Sequence, residues 1–128
     1  MPGRESFQYA VVRVVPQVER GEVLNAGVVL FARRHRFLAA RTELDAAALE
    51  ALAPGCDPER VREHLETLER VAAGDPAGGP IAELEASERF HWLTAPASTI
   101  VQSSPVHTGL TADPAAELDR LFVRLVTR

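Results

Sequence analysis

Two side chains capable of nucleophilic chemistry, Ser104 and His107, lie three positions apart in the stretch SSPVHTG, residues 103 to 109. A histidine can remove the proton of a serine hydroxyl and so activate it as a nucleophile. A small hydrolase or nuclease would use His107 with Ser104, or with a carboxylate from residues 19 to 22. The G-x-S-x-G pattern that positions the serine of α/β-hydrolases is absent. The alternative interpretation is a polar loop that leads to a helix N-cap at Asp113.

A second candidate is the polar connection PQVERGEVLNAG, residues 16 to 27, which combines two carboxylates, an arginine and an amide. Such a loop could bind a polar ligand or an arginine of a partner protein. Alternatively, Asn25 and Gly27 only shape a turn or bulge, and the charges are solvated. Arg13 lies in the apolar segment before this connection. We expect it to face solvent or to reach a carboxylate such as Glu22, because a buried arginine without a partner is costly.

Arg33, Arg34 and Arg36 form the densest basic cluster of the chain. A basic turn could bind nucleic-acid phosphates or an acidic protein surface; alternatively, it is a solvated turn. The whole chain has 14 basic and 18 acidic residues, a net charge of −4. Nucleic-acid affinity depends on many basic contacts, so this balance argues against a general nucleic-acid binder.

The stretch RFHWL places the single tryptophan, Trp92, close to Arg89 and His91. An exposed tryptophan would indicate an anchor of a protein interface. The expected alternative is a tryptophan buried in the core.

No metal site and no cofactor are predicted, because the four histidines and the single cysteine, Cys56, have no recognised ligand spacing. One cysteine cannot form an internal disulfide, which fits a reducing compartment. The N-terminus has no signal-peptide pattern, and the apolar runs are too short to cross a bilayer. We therefore expect a cytoplasmic protein with no membrane association.

Three apolar segments near the N-terminus are typical of strands: residues 7 to 15, 26 to 32 and 37 to 41. The polar residues 33 to 36 suit a hairpin loop between the last two. Short connections between successive strands predict an antiparallel meander. Residues 98 to 102 are expected to add a fourth strand.

The remaining segments have helical periodicity. A short helix should follow Thr42 and Asp45, which resemble a capping pair, and a longer one should begin at Asp57 and Pro58 and end at Gly74. Residues 81 to 93 are expected to be helical mainly at their start. Asp113 and Pro114 precede a C-terminal amphipathic helix whose apolar face carries Leu118, Leu121, Phe122, Leu125 and Val126. That face must be covered, most simply by the sheet.

These elements predict an α+β fold, a single domain over residues 1 to 128. A three- to four-stranded, mainly antiparallel sheet would be packed by three to four helices, including the C-terminal one.

Three motifs, GEVLNAGVVLF, RFHWLTAP and SPVHTGL followed by DP, resemble the bacterial domain-of-unknown-function family numbered 3037, in the right order over about residues 7 to 127. The resemblance implies a small bacterial protein without an assigned activity, of a kind encoded beside HipA-like kinases. It therefore implies a protein partner, such as a HipA-like kinase in a toxin–antitoxin-like system. The positions that match the motifs, and so become candidate binding residues, are Arg13, Glu22, Asn25, Gly27, Arg89, Trp92, Ser104 and His107.

The leading hypothesis is a non-catalytic module that binds a protein partner. The small hydrolase or nuclease and the nucleic-acid-binding turn remain as alternatives, and homo-oligomerisation is left open.

Overall fold

The computed structural model describes residues 3–97 and 99–128. Five strands form one antiparallel sheet with the order β3-β2-β1-β4, in which β5 also pairs with β1. The strands are β1 (Glu5–Val14), β2 (Leu24–Ala32), β3 (Phe37–Thr42), β4 (Val101–Ser103) and β5 (His107–Thr111). The predicted N-terminal meander is therefore confirmed.

Strand β1 is the centre of the sheet because both of its edges are paired. One edge pairs with β2 from Gln8 to Val14. The other edge is shared by two short strands: β4 opposes Val12 to Val14, and β5 opposes Glu5 to Tyr9. The predicted fourth strand is present as β4, although Ser98 lies outside the described residues.

The interpretation of residues 103 to 109 as a polar loop is wrong, because β5 begins within them at His107. The pentapeptide HTGLT has no alternation of apolar and polar residues, and its one large apolar side chain, Leu110, is 58% exposed. Backbone hydrogen bonds to β1 hold this strand in place. Because such bonds do not depend on the type of side chain, they give no sequence pattern from which the strand could be predicted.

The helices are α1 (Ala46–Leu52), α2 (Pro58–Ala73), α3 (Ala86–Thr94) and α4 (Pro114–Leu125). Asp45, Asp57 and Asp113 cap α1, α2 and α4, each accepting a hydrogen bond from a backbone N–H of the first turn. α2 ends at Gly74, as predicted, and Gly74 has a left-handed φ of 72°. Thr42 is not part of a cap; it is the last residue of β3.

The prediction for residues 81 to 93 has the helical part at the wrong end. Pro80–Glu83 form a 3₁₀ turn, and the α-helix covers Ala86–Thr94.

Helices cover both faces of the sheet. On one face, hereafter the α2 face, α2 and α3 pack against β1 and β2 with Leu65, Leu68, Phe90, Val12 and Phe31 among the buried residues. On the other, the α4 face, α4 packs with Leu118, Leu121, Phe122, Phe7 and Leu30. The predicted packing of the C-terminal helix on the sheet is confirmed. Each fully buried side chain of this size contributes about 1.5–3 kcal/mol.

Within residues 3–97 and 99–128, the helices are all too short or too polar to cross a membrane.

Candidate functional site

Asn25 holds the C-terminal end of α4. Its side-chain Nδ2 donates a hydrogen bond of 3.0 Å to the carbonyl of Leu125, the last residue of that helix. The final carbonyls of a helix have no partner within the helix, so a side-chain donor there stabilises the terminus. Asn25 therefore ties β2 to α4.

Arg89 has the same kind of role at the end of α2. Its Nη1 donates to the carbonyls of Val71 and Ala72 at 3.1 and 2.6 Å, and its Nε donates to the carbonyl of Leu84 at 2.9 Å. A guanidinium presents several donors in a fixed plane, which allows one side chain to bind three carbonyls. Arg89 joins α3 to the end of α2 and to the segment between them.

Ser104 lies at the junction of β4 and β5 and completes the pairing of β1. Its backbone N–H donates to the carbonyl of Val11, and its Oγ accepts from the N–H of Val11, both at 2.8 Å. The hydroxyl also donates to the carbonyl of Pro105 at 2.8 Å. Ser104 is only 3% exposed. The hydroxyl is therefore buried and hydrogen-bonded as both donor and acceptor.

His107 is exposed, and its ring lies against Tyr9 with a centroid distance of 5.2 Å. Within the described part of the chain, no hydrogen bond joins His107 to Ser104. The arrangement therefore lacks the contact between base and nucleophile that serine activation requires.

Glu22 forms an ion pair with Arg20 rather than with Arg13; the Nε–Oε1 distance is 2.6 Å. The hydrogen bond from Arg20 lowers the pKa of the Glu22 carboxyl, and the same contact raises the pKa of the Arg20 guanidinium. Both side chains are largely exposed.

Arg13 is half-buried and lies opposite Asn25 in β2 and Gln102 in β4. Its Nε is buried and has no hydrogen-bond partner among residues 3–97 and 99–128.

The basic cluster at residues 33 to 36 forms the tight turn between β2 and β3. The guanidinium of Arg33 lies 5.6 Å from the centroid of the Phe31 ring, and Arg34 Nε lies 3.7 Å from Glu5 Oε2. Arg36 ends the turn in the left-handed conformation with a φ of 53°.

Trp92 is 41% exposed, so the expectation of a core tryptophan is wrong. It lies between two surface cavities, which together we call the Trp92 surface. A cavity of about 260 Å³ separates α3 from the sheet and is lined by His64, Leu68, Trp92, Pro96, Gln102 and other residues. A more open hollow of about 440 Å³ lies on the other side and is lined by Leu84, Ser87, Glu88, His91, Trp92 and Ala95.

The exposure of Trp92 could have been read from helical spacing. Phe90 and Leu93 are the buried residues of α3, three positions apart on one face. Successive residues of an α-helix turn by about 100°, so position 92 falls about 100° from Leu93 and away from this stripe. His64 and Gln102 were missed because they reach the cavity from α2 and β4, whose positions depend on the fold.

The candidate residues do not share one cleft. Arg13, Asn25 and His107 lie on the α4 face. Arg13 is opposite Asn25, which donates to the end of α4, and His107 is opposite Tyr9, which packs against the buried cluster of that face. Arg89 and Trp92 belong to α3 on the α2 face. Of the residues selected from the motifs, only Trp92 lines a cavity described here.

The family model described as protein of unknown function (DUF3037) matches residues 9–126. The chain belongs to this family. No curated protein and no solved structure matches the chain. The three motif residues Asn25, Arg89 and Ser104 thus have structural contacts in this DUF3037 protein, whereas Trp92 is both exposed and bordered by cavities.

Proposed function

We propose that the protein is a non-catalytic interaction module that binds a partner protein through the Trp92 surface. The observation that carries the proposal is an indole 41% exposed between two cavities. Tryptophan is enriched among the few residues that supply most of the binding energy of protein interfaces. The two cavities offer space for partner side chains on both sides of the ring.

Apolar surface extends from Trp92 to Leu84, which is also 41% exposed and lines the same hollow. Leu84 follows the 3₁₀ turn and precedes α3, so it lies on ordered backbone. A neighbouring pair of exposed large apolar side chains beside a concave surface is typical of an interaction site.

The surroundings of this surface are acidic. Glu83, Glu85 and Glu88 are exposed around Leu84 and in the first turn of α3. Arg89, the one arginine between residues 75 and 97, donates to three backbone carbonyls. A partner segment with an apolar anchor and basic neighbours would match this surface, since complementary charge increases association rates and specificity.

Catalysis has less support. The Ser104 hydroxyl is buried and engaged in two hydrogen bonds, and the His107 ring lies tilted against Tyr9 and makes no hydrogen bond to Ser104 among the described residues.

The family resemblance suggests a HipA-like kinase as the first partner to test, with this protein as an accessory component of a toxin–antitoxin-like system. The experiment is calorimetric titration of a purified HipA-like kinase into the wild-type protein and variants. We expect micromolar or tighter binding, which Trp92→Ala weakens by about 30-fold, the usual effect of losing a hot-spot residue.

The matched control is Val123→Ala, which truncates a 57% exposed apolar residue on α4. It should leave affinity unchanged. Equal binding by Trp92→Ala and the wild type would exclude the Trp92 surface, and the absence of any complex at micromolar concentration would exclude this kinase. Glu88→Lys should weaken binding without affecting the fold, because Glu88 is exposed.

A further inference from the structure

We propose a second binding site, for a single phosphate group of a small molecule, in a cleft at the β2–β3 turn. This arginine cleft has a volume of about 260 Å³ and is lined by Ser6, Phe7, Gln8, Phe31, Arg33, Arg34 and Thr108. It is separate from the Trp92 surface and does not depend on the proposed protein partner.

The floor of the cleft is the sheet itself. Gln8 lies directly opposite Phe31 in β2 and Thr108 in β5, so these three residues share the α2 face across three strands. Paired strands provide a rigid base. Two arginines from the β2–β3 turn stand at the side of this base.

The lining of the cleft is rich in donors and carries no carboxylate. Two guanidiniums, a side-chain amide and the hydroxyls of Ser6 and Thr108 can all donate hydrogen bonds. Arg33 forms no ion pair with the described residues, and the one carboxylate near Arg34, on Glu5, is 3.7 Å away. The Arg33 guanidinium is therefore available to an anion, and Arg34 contacts a carboxylate only through this long, exposed ion pair.

The turn is held in a defined position. The N–H of Arg36 donates to the carbonyl of Arg33 at 3.0 Å, and the left-handed conformation of Arg36 closes the turn. His35 Nε2 lies 3.3 Å from the carbonyl of Thr111 at the end of β5. The guanidinium of Arg33 lies over the Phe31 ring, which directs it across the floor. A positioned donor loses less conformational entropy when a ligand binds.

The donor set and size of the cleft fit a phosphate. A guanidinium binds phosphate oxygens in a bidentate manner, and the neutral donors can bind the remaining oxygens. The volume lies just below the ~300–1,000 Å³ usual for drug-sized ligands. A phosphate group fits within such a space, which also has room for part of the small molecule that carries it.

Nucleic acid fits less well. Single-stranded nucleic acids need exposed aromatic rings for base stacking, and Phe31 is only 5% exposed beneath Arg33. Duplex binding needs many basic contacts along the backbone, and the chain has a net charge of −4.

The arginine cleft and the Trp92 surface can be tested separately. Gln8 lines the cleft and Val12 lines the cavity at Trp92. They are four residues apart on β1, about 14 Å at the rise of an antiparallel strand. Substitutions at residues 33 and 34 therefore leave the Trp92 surface intact.

The experiment is an NMR titration of the full chain at low ionic strength with inorganic phosphate, acetate, a nucleoside monophosphate and a mixed-sequence oligonucleotide. Phosphate and the monophosphate should bind with similar affinity and shift the amide signals of residues 6 to 8, 33 to 36 and 108. Acetate should bind at least about tenfold more weakly, because it has fewer oxygens and one negative charge.

Arg33→Gln/Arg34→Gln should weaken phosphate binding by at least about tenfold. The control Arg60→Gln/Arg124→Gln removes the same charge from two exposed positions elsewhere and should change it by less than about twofold. Equal loss in both double variants, or shifts away from the cleft, would show that phosphate responds only to net charge. If the oligonucleotide bound far more tightly than the monophosphate, the small-molecule phosphate site would be contradicted and nucleic-acid binding by this turn would be favoured.

Discussion

Asn25 and Arg89 hydrogen-bond to backbone carbonyls at the ends of helices, and Ser104 hydrogen-bonds to the backbone of Val11 within β1, so these side chains do not bond to one another. Each satisfies a donor or acceptor that the regular pairing of its neighbours leaves open. Their place in the motifs of DUF3037 therefore has a structural explanation. A binding role is better sought where a side chain has no such contact, as at Trp92.

Ser104→Ala should destabilise the protein by about 1–3 kcal/mol, because the buried N–H of Val11 loses its acceptor. Urea unfolding followed by circular dichroism measures this difference. The neighbouring variant Ser103→Ala is the control, since the Ser103 hydroxyl donates to a carbonyl and its loss leaves no buried N–H unpaired. Equal effects of the two substitutions would contradict this role of the Ser104 hydroxyl.

The ion pair of Glu22 predicts a pH-dependent contribution to stability. Because the folded pKa of Glu22 is lowered, its contribution is present above the unfolded pKa and is lost as the pH falls through the folded pKa. A carbon-detected NMR titration should show Glu22 ionising below the ordinary glutamate range. In Arg20→Gln the pKa should return upward; an unchanged value would exclude Arg20 as the cause.

Part of this residue-level detail could be predicted from sequence. Asp45, Asp57 and Asp113 are N-caps because a helix start needs a nearby acceptor, which is a local requirement. The hydrogen bond between Ser104 and Val11 joins residues 93 positions apart, so no local pattern contains it. The exposure of Trp92 could also be predicted locally, from the spacing of the buried residues Phe90 and Leu93, although the cavities beside it could not.

At the scale of elements, the contact between α2 and α3 depends on Arg89. Arg89→Met should cost about 2–3 kcal/mol of unfolding free energy, because the carbonyls at the end of α2 lose a charged donor. Arg70→Met is the matched control at the same helix end. Arg70 is exposed, and its ion pair with Glu66 is long at 3.9 Å. Replacing Arg70 should therefore change the free energy of unfolding by no more than about 0.5 kcal/mol. Thermal unfolding of both variants tests the difference.

The pairing of β2 with β3 requires a residue without a side chain at position 27. A Cβ on Gly27 would lie 2.8 Å from the carbonyl oxygen of Arg41 and from Cγ2 of Thr42. Because one of these atoms is backbone, Gly27→Ala should destabilise the protein by about 1–3 kcal/mol. Gly109→Ala should cost less, since the atoms it meets belong to the Phe7 ring. Urea unfolding in which Gly109→Ala costs more would contradict this order.

The strands differ in how far the sequence predicts them. β1, β2 and β3 have runs of apolar and β-branched residues, and their short connections fix the antiparallel order. β5 lies at an edge with mostly exposed side chains, so its composition resembles that of a loop. The candidate site is predicted less well than the fold, because the Trp92 surface combines α2, α3 and β4 from distant parts of the sequence.

At the scale of the molecule, the sheet separates two apolar clusters of the described residues, and among these residues α4 is the one helix that covers the α4 face. Phe122 is 2% exposed there, and the guanidinium of Arg41 lies 4.2 Å from its ring centroid. Phe122→Ala should cost about 3–5 kcal/mol, enough to unfold a marginally stable domain.

The adjacent Val123 is 57% exposed, so Val123→Ala should change stability by no more than about 0.5 kcal/mol. Calorimetric melting of both variants gives the comparison. A small effect of Phe122→Ala would mean that α4 is not needed to close this face of the sheet.

The position of β1 between early and late strands has a consequence for biosynthesis. Val11 leaves the ribosome well before Ser104, and at about 5–20 residues per second the 93 intervening positions correspond to a delay of roughly 5–20 s. During that delay β1 can pair with β2, but its other edge has no partner. Nascent chains should therefore be vulnerable to strand-mediated self-association, and molecular chaperones that cover exposed strand edges should increase the yield of folded protein.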